Sequence, residues 1–285
     1  MRYGSGTVTL GDAAGDTITL GTLITAANDA RSTGSLIING ALALSTLTTY
    51  ARPYSIYING GGSIANAVTF NNTGSVAIGN LSATTTFTSG VNASSPATTQ
   101  LKGTIVSGTS INPGAGTPIT FGAAELVGAT VLDSNGSNVS IGSIDGPYNL
   151  TFASGIGSGV VDITSNVGAN SPVGTITVQA GITQPVLFRG SVTGVGLVGG
   201  LGTTLSFDGN VDLTGGANLL GLTQLNNTLY ASQNTTFSFP LPGCLTGHRT
   251  SLCRVWVVKY LLGRWVEQHQ LEREQGQRLA CLVGM

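Results

Sequence analysis

The sequence predicts an all-β chain folded as a right-handed parallel β-helix, or β-solenoid. Three observations lead there. Short runs in which apolar and small polar residues alternate recur along the chain, cut by glycine and asparagine, and that alternation is the period of a half-buried strand. Glycine supplies 43 of the 285 residues while charged residues make up only 8%, so cohesion has to come from backbone ladders and an aliphatic column. One phrase also returns. Tyr148-Asn149-Leu150-Thr151-Phe152-Ala153-Ser154-Gly155 is echoed by Gly174-Thr175-Ile176-Thr177-Val178-Gln179-Ala180-Gly181, at an interval within the range of solenoid repeats.

Thr17-Ile18-Thr19-Leu20 reads as an opening strand. Residues 23–30 have helical composition, and a short helix over 22–30 is expected to cover the open end of the apolar column. Further strands are expected at 36–38, 55–58, 68–70, 75–78, 118–121, 149–152, 175–178 and 205–208, where Val, Ile and Thr suit a pleated surface. The steps Asn39-Gly40, Asn59-Gly60, Asn135-Gly136 and Asp145-Gly146 are expected to turn corners with positive φ. The run 194–200 lacks the Lys-Ser/Thr end of a nucleotide loop and reads as a flexible corner.

The vocabulary changes near residue 240. Residues 1–240 hold no Cys, His or Trp, five basic residues (Arg2, Arg31, Arg52, Lys102, Arg189) and nine acidic ones. Residues 241–285 hold Cys244, Cys253, Cys281, His248, His269, Trp256, Trp265 and six basic residues. Two segments are therefore expected: a solenoid over 1–240 and a distinct segment over 241–285, helical or disordered. Val258, Leu261, Leu262, Trp265 and His269 recur there at helical spacing. The Cys and His residues form no Cys-x-x-Cys or His-x-x-x-His unit, so zinc is poorly supported. A frame change at the end of a repetitive gene would account for the break.

The run Gly15 to Leu20, then Leu23 to Asn28, then Leu36-Ile37-Ile38, then Ser55 to Gly62 resembles the opening of bacterial surface β-helix proteins. The stretch Ile144 to Phe152, followed by the glycine-rich Gly157 to Ile163, resembles repeats of filamentous-haemagglutinin and autotransporter-passenger adhesins. The likeness covers roughly residues 10–240. It implies a secreted or surface-displayed rod, extracellular or on the outer cell surface. Such proteins carry an export signal, whereas Met1-Arg2-Tyr3-Gly4-Ser5-Gly6 leads straight into a strand. That departure raises the expectation that this chain is a fragment, with further solenoid coils belonging to a larger protein.

The same residues leave little room for catalysis. Without His or Cys before residue 241, a Ser-His triad or a soft-metal site in the solenoid is excluded. Asp208 and Asp212, if they share one strand, stand about 13 Å apart, too far for paired glycosidase carboxylates. Lys102 and Arg189 have no acidic neighbours in sequence and read as isolated surface charges. No cofactor, no metal and no enzymatic activity are expected. A net charge of -1 offers no field for nucleic acid. No apolar run of about 18 residues offers a membrane span. The expected function is a structural, adhesive rod that presents loops to a host or cell-surface glycan or protein. Tyr50, Tyr54, Tyr57 and Tyr148 are the candidate sugar-stacking residues, with core or corner packing as their competing role. The alternatives are a carbohydrate-active β-helix enzyme, lyase or hydrolase, whose carboxylates would cluster on one solenoid face, and a phage tail-spike-like trimer.

Overall fold

The computed structural model describes residues 5–13, 15–26, 32–109, 116–233 and 235–237. The 24 strands among them wind into a parallel β-solenoid of about ten turns. The chain visits three sheets, A, B and C, in fixed order. One coil consists of Ser55–Ile58 in sheet A, Gly62–Ile64 in sheet B and Val68–Thr69 in sheet C. The next places Val76–Ile78, Thr84–Phe87 and Val91–Ala93 beside them, all in parallel. Some strands turn corners unbroken: Thr99–Ser107 serves sheets A and B, and Ile119–Asp133 serves C, A and B in succession.

Alternation decides which side chains point inward. In sheet A one inward column runs from Val8 through Leu36, Ile56, Val76, Thr99 and Ala124 to Ile144, Val167, Val192, Val211 and Leu229. Stacked about 4.8 Å apart, these residues bury one another. In sheet C, Phe121, Ile141, Ile163, Phe188 and Phe207 form a second column. There the rings of Phe188 and Phe207 stack at 4.7 Å and 9°. Small polar side chains form ladders outside: Asn59 Nδ2 donates to Asn39 Oδ1 at 3.2 Å, and Asn66 Nδ2 to Thr46 Oγ1 at 2.8 Å.

The echo of 149–152 at 175–178 is a true register. Leu150 pairs with Ile176, Thr151 with Thr177 and Phe152 with Val178. The period is not constant, however. The step from Val8 to its partner Leu36 is much longer than the step from Val211 to its partner Leu229, and the loops absorb the difference.

Three expectations need correction. Residues 22–24, read as the start of a capping helix, end the strand Thr17–Ile24. Thr22, Leu23 and Ile24 pair with Thr46, Leu47 and Thr48 of the next coil, so ladder bonds override helical composition; residues 27–30 lie outside the described residues. Asn135-Gly136 and Gly146 have positive φ, but Gly40 and Gly60 do not. Gly60 is required for a different reason: a Cβ there would collide with the carbonyl of Gly40 in the preceding coil. The run 194–200 lies mostly in the strand Val192–Gly199, which serves sheets A and B, rather than in a flexible corner. The segment 241–285, with its helical and zinc readings, lies outside the described residues.

The corner before Thr17 is tied by Asp16, whose carboxylate accepts from the amides of Ala13 at 3.1 Å and Asp12 at 2.8 Å. These bonds hold the Asp16 carboxyl below its ordinary value of 3.8. The stability it contributes is present above that value and is lost as pH falls through the depressed one. Asp16→Asn is expected to flatten the acid limb of a stability–pH curve below about pH 4. Thermal melts across an acid series check this. Gly60→Ala is expected to cost roughly 2–3 kcal/mol in urea unfolding, because backbone has to move. Gly21→Ala, with nothing within 4 Å of its Cβ position, is expected to change stability by under about 1 kcal/mol.

Candidate functional site

The register brings together residues that sequence spacing separates. On the outward face of sheet A, Tyr57, Ala77, Gln100, Glu125 and Asp145 occupy one column on five successive coils. Lys102 lies just beyond Gln100 on the same face of Thr99–Ser107. Gln100 Nε2 donates to Glu125 Oε2 at 2.9 Å. Asp145 accepts from Asn170 N at 2.8 Å, Asn170 Nδ2 at 3.0 Å and Ser171 N at 3.2 Å. The loop after Val167 is thereby fastened over that end of the face.

Glu125 and Asp145 are paired in register, so their backbones stand about 4.8 Å apart. Sequence reasoning misses this pair, because the two residues are remote along the chain and only the ladder makes them neighbours. Ala77 is 7% exposed although it faces outward, which sets a small residue between the half-buried Tyr57 and Gln100. The face thus offers an aromatic ring, an amide, a carboxylate pair and an ammonium group along the rod. These are the groups that recognise polyhydroxylated ligands by stacking and by hydrogen bonding.

The four candidate tyrosines have different fates. Tyr50 and Tyr148 are exposed, at 38% and 44%. Tyr57 joins the sheet A face. Tyr54 is fully buried, and its hydroxyl lies 2.6 Å from Thr25 Oγ1 and accepts from Tyr50 N at 3.1 Å. Its ring therefore packs a corner and offers no surface to a sugar.

Arg189, read from the sequence as an isolated surface charge, is paired. Arg189 grips Asp162 of the preceding coil through Nε at 2.7 Å and Nη2 at 3.0 Å. That pairing, with Asp162 nearby as a charge and Asp208 more weakly, raises the Arg189 pKa further. Asn226 Nδ2 donates to Asp208 Oδ1 at 2.7 Å. Asn80 and Asn149, both in Asn-x-Ser/Thr sequons, use their side chains inside the ladder: Asn80 Nδ2 donates to Asn59 O, and Asn149 Oδ1 accepts from Thr175 N. Among the described residues no group of three or more His, Cys, Asp or Glu stands together. No helix among them is long and apolar enough to cross a membrane.

No family model, curated protein or solved structure matches the chain.

Removing the Tyr54 hydroxyl strands the groups that meet it. Tyr54→Phe is expected to destabilise the fold by about 1–3 kcal/mol, read by urea unfolding, with no effect on any ligand of the sheet A face.

Proposed function

We propose that the chain is a rod-like, right-handed segment of a secreted or surface-displayed bacterial protein, and that it binds a glycan through the outward face of sheet A. The observation that carries this reading is the column from Tyr57 to Asp145, which sets stacking and hydrogen-bonding groups at a regular rise on a repetitive scaffold. A ligand lying along the rod meets the ring of Tyr57, the small Ala77, and then polar groups at Gln100, Glu125 and Asp145 on the next three coils. A folded protein partner would use the same exposed face. Adhesion of this kind needs no chemistry, only reach and repeated weak contacts, whose avidity multiplies when several sites engage together.

The in-register carboxylate pair favours a second reading, a carbohydrate-active enzyme. Retaining glycosidases hold two carboxyl groups about 5–5.5 Å apart, close to one coil rise. Against it, Asp145 already accepts three hydrogen bonds and Glu125 one, so both carboxylates are committed to neighbours.

A panel of immobilised glycans separates the two readings. Simple adhesion predicts binding that Tyr57→Ala weakens about tenfold, the loss of one stacking contact. It also predicts no release of reducing ends. An enzyme predicts reducing ends or unsaturated products that vanish in Glu125→Gln. Retention of no glycan by the wild-type chain, together with no product, would discard both.

A further inference from the structure

The outward column of sheet A continues past Asp145. Ile144 is bridged to Val167 and Val167 to Val192, so Gly168 and Thr193 hold the next outward positions. Thr193 pairs in turn with Asp212, and Asp212 with Tyr230. Asp212 is exposed and stands three coils beyond Asp145, about 14 Å along the rod. The column from Tyr57 to Tyr230 therefore holds three carboxylates, at Glu125, Asp145 and Asp212, and no cation.

Cations are also scarce beside it. The described residues include eight acidic residues and three basic ones, Arg52, Lys102 and Arg189. Arg189 is bound to Asp162 of sheet C, the one ion pair within 4.0 Å among the described residues. Arg52 lies in the corner before Ser55–Ile58, where its Nη1 donates to Ala51 O at 2.9 Å. Lys102 belongs to the face but stands at its rim. The register of Thr99–Ser107 shifts between Leu101 and Gly103, where the strand passes from sheet A to sheet B. A Cβ at Gly128 would meet Lys102 Cβ at 2.9 Å and Leu81 Cδ2 at 3.1 Å, so the foot of Lys102 is beside Gly128, three residues past Glu125.

Hydrogen bonding leaves the charge of this face in place. The donors to Glu125 and Asp145 are neutral amides of Gln100, Asn170 and Ser171. A carboxylate offers about four lone-pair sites, so Glu125 can accept from a ligand as well as from Gln100. The ring of Tyr57, about 14 Å before Glu125 along the column, attracts an ammonium group as well as the apolar face of a sugar.

We infer, building on the glycan reading of this face, that its ligand is a glycan with free amino groups, of the unacetylated glucosamine type, and that glycans carrying carboxylate or sulfate are rejected. Ammonium groups donate to carboxylates on successive coils, whereas a uronate meets like charge along the same column.

The test is binding of the full chain to immobilised β-1,4-linked oligomers of glucosamine, N-acetylglucosamine and glucuronate. The glucosamine oligomer is expected to bind most tightly. Its advantage is expected to shrink as salt rises from about 0.1 M to about 1 M, where the Debye length falls from about 10 Å to about 3 Å. Glu125→Gln is expected to weaken glucosamine binding about two- to fivefold, the loss of one exposed ion pair, and to leave N-acetylglucosamine binding unchanged. Asp208→Asn removes a carboxylate from sheet C and is expected to change neither. An equal loss in Asp208→Asn overturns the inference, because the preference then belongs to the overall charge of the rod. So does a Glu125→Gln variant that binds glucosamine as the wild type does, and so does a preference for N-acetylglucosamine or glucuronate that Tyr57→Ala abolishes; in these cases the glycan reading survives. If Tyr57→Ala alters no binding in the panel, the glycan reading itself fails and this inference with it.

Discussion

One constraint governs this molecule: each coil must lie in parallel register on the one before it. Every inward side chain within the stack then has a counterpart about 4.8 Å above and below, and the core is a set of columns rather than a centre. The same constraint explains Gly60, which has no room for a Cβ against the Gly40 carbonyl. It also explains the stacked Phe188 and Phe207 rings. It turns residues far apart in sequence into bonded neighbours, as with Gln100 and Glu125 or Arg189 and Asp162.

A ladder this regular is intolerant of like charges, because a charge repeated at one register position faces its copy directly. The low charge content follows from that. Arg189 sits between Asp162 and Asp208, so those three coils alternate in sign. The exception is Glu125 beside Asp145, and each of these accepts hydrogen bonds from neutral groups. Donors at Gln100, Asn170 and Ser171 offset a repulsion that the fold itself creates.

Much of this is legible without coordinates. Period-two alternation locates the strands, and the echo of 149–152 at 175–178 reports a true register, because both depend on local sequence. Register along the remaining coils is not legible, since loops of different length break the period. The carboxylate pair is hidden for that reason: nothing in the sequence around Glu125 announces Asp145. The start of the helix expected at 22–30 is strand instead, because Thr22, Leu23 and Ile24 gain a ladder with Thr46, Leu47 and Thr48, a long-range contribution that composition does not contain. Sequence alone groups Tyr54 with three other tyrosines, because Thr25 reaches its hydroxyl only once two coils are stacked.

The division between inward and outward positions also separates stability from recognition. Substitutions at Leu36, Ile56 or Val76 alter a column that runs the length of the rod, and each is felt by the coils on both sides. Substitutions at Tyr57, Gln100 or Glu125 alter a surface whose backbone hydrogen bonds are unaffected. A solenoid can therefore vary its outward face while its columns remain fixed, and chemistry acquired on that face costs the fold little.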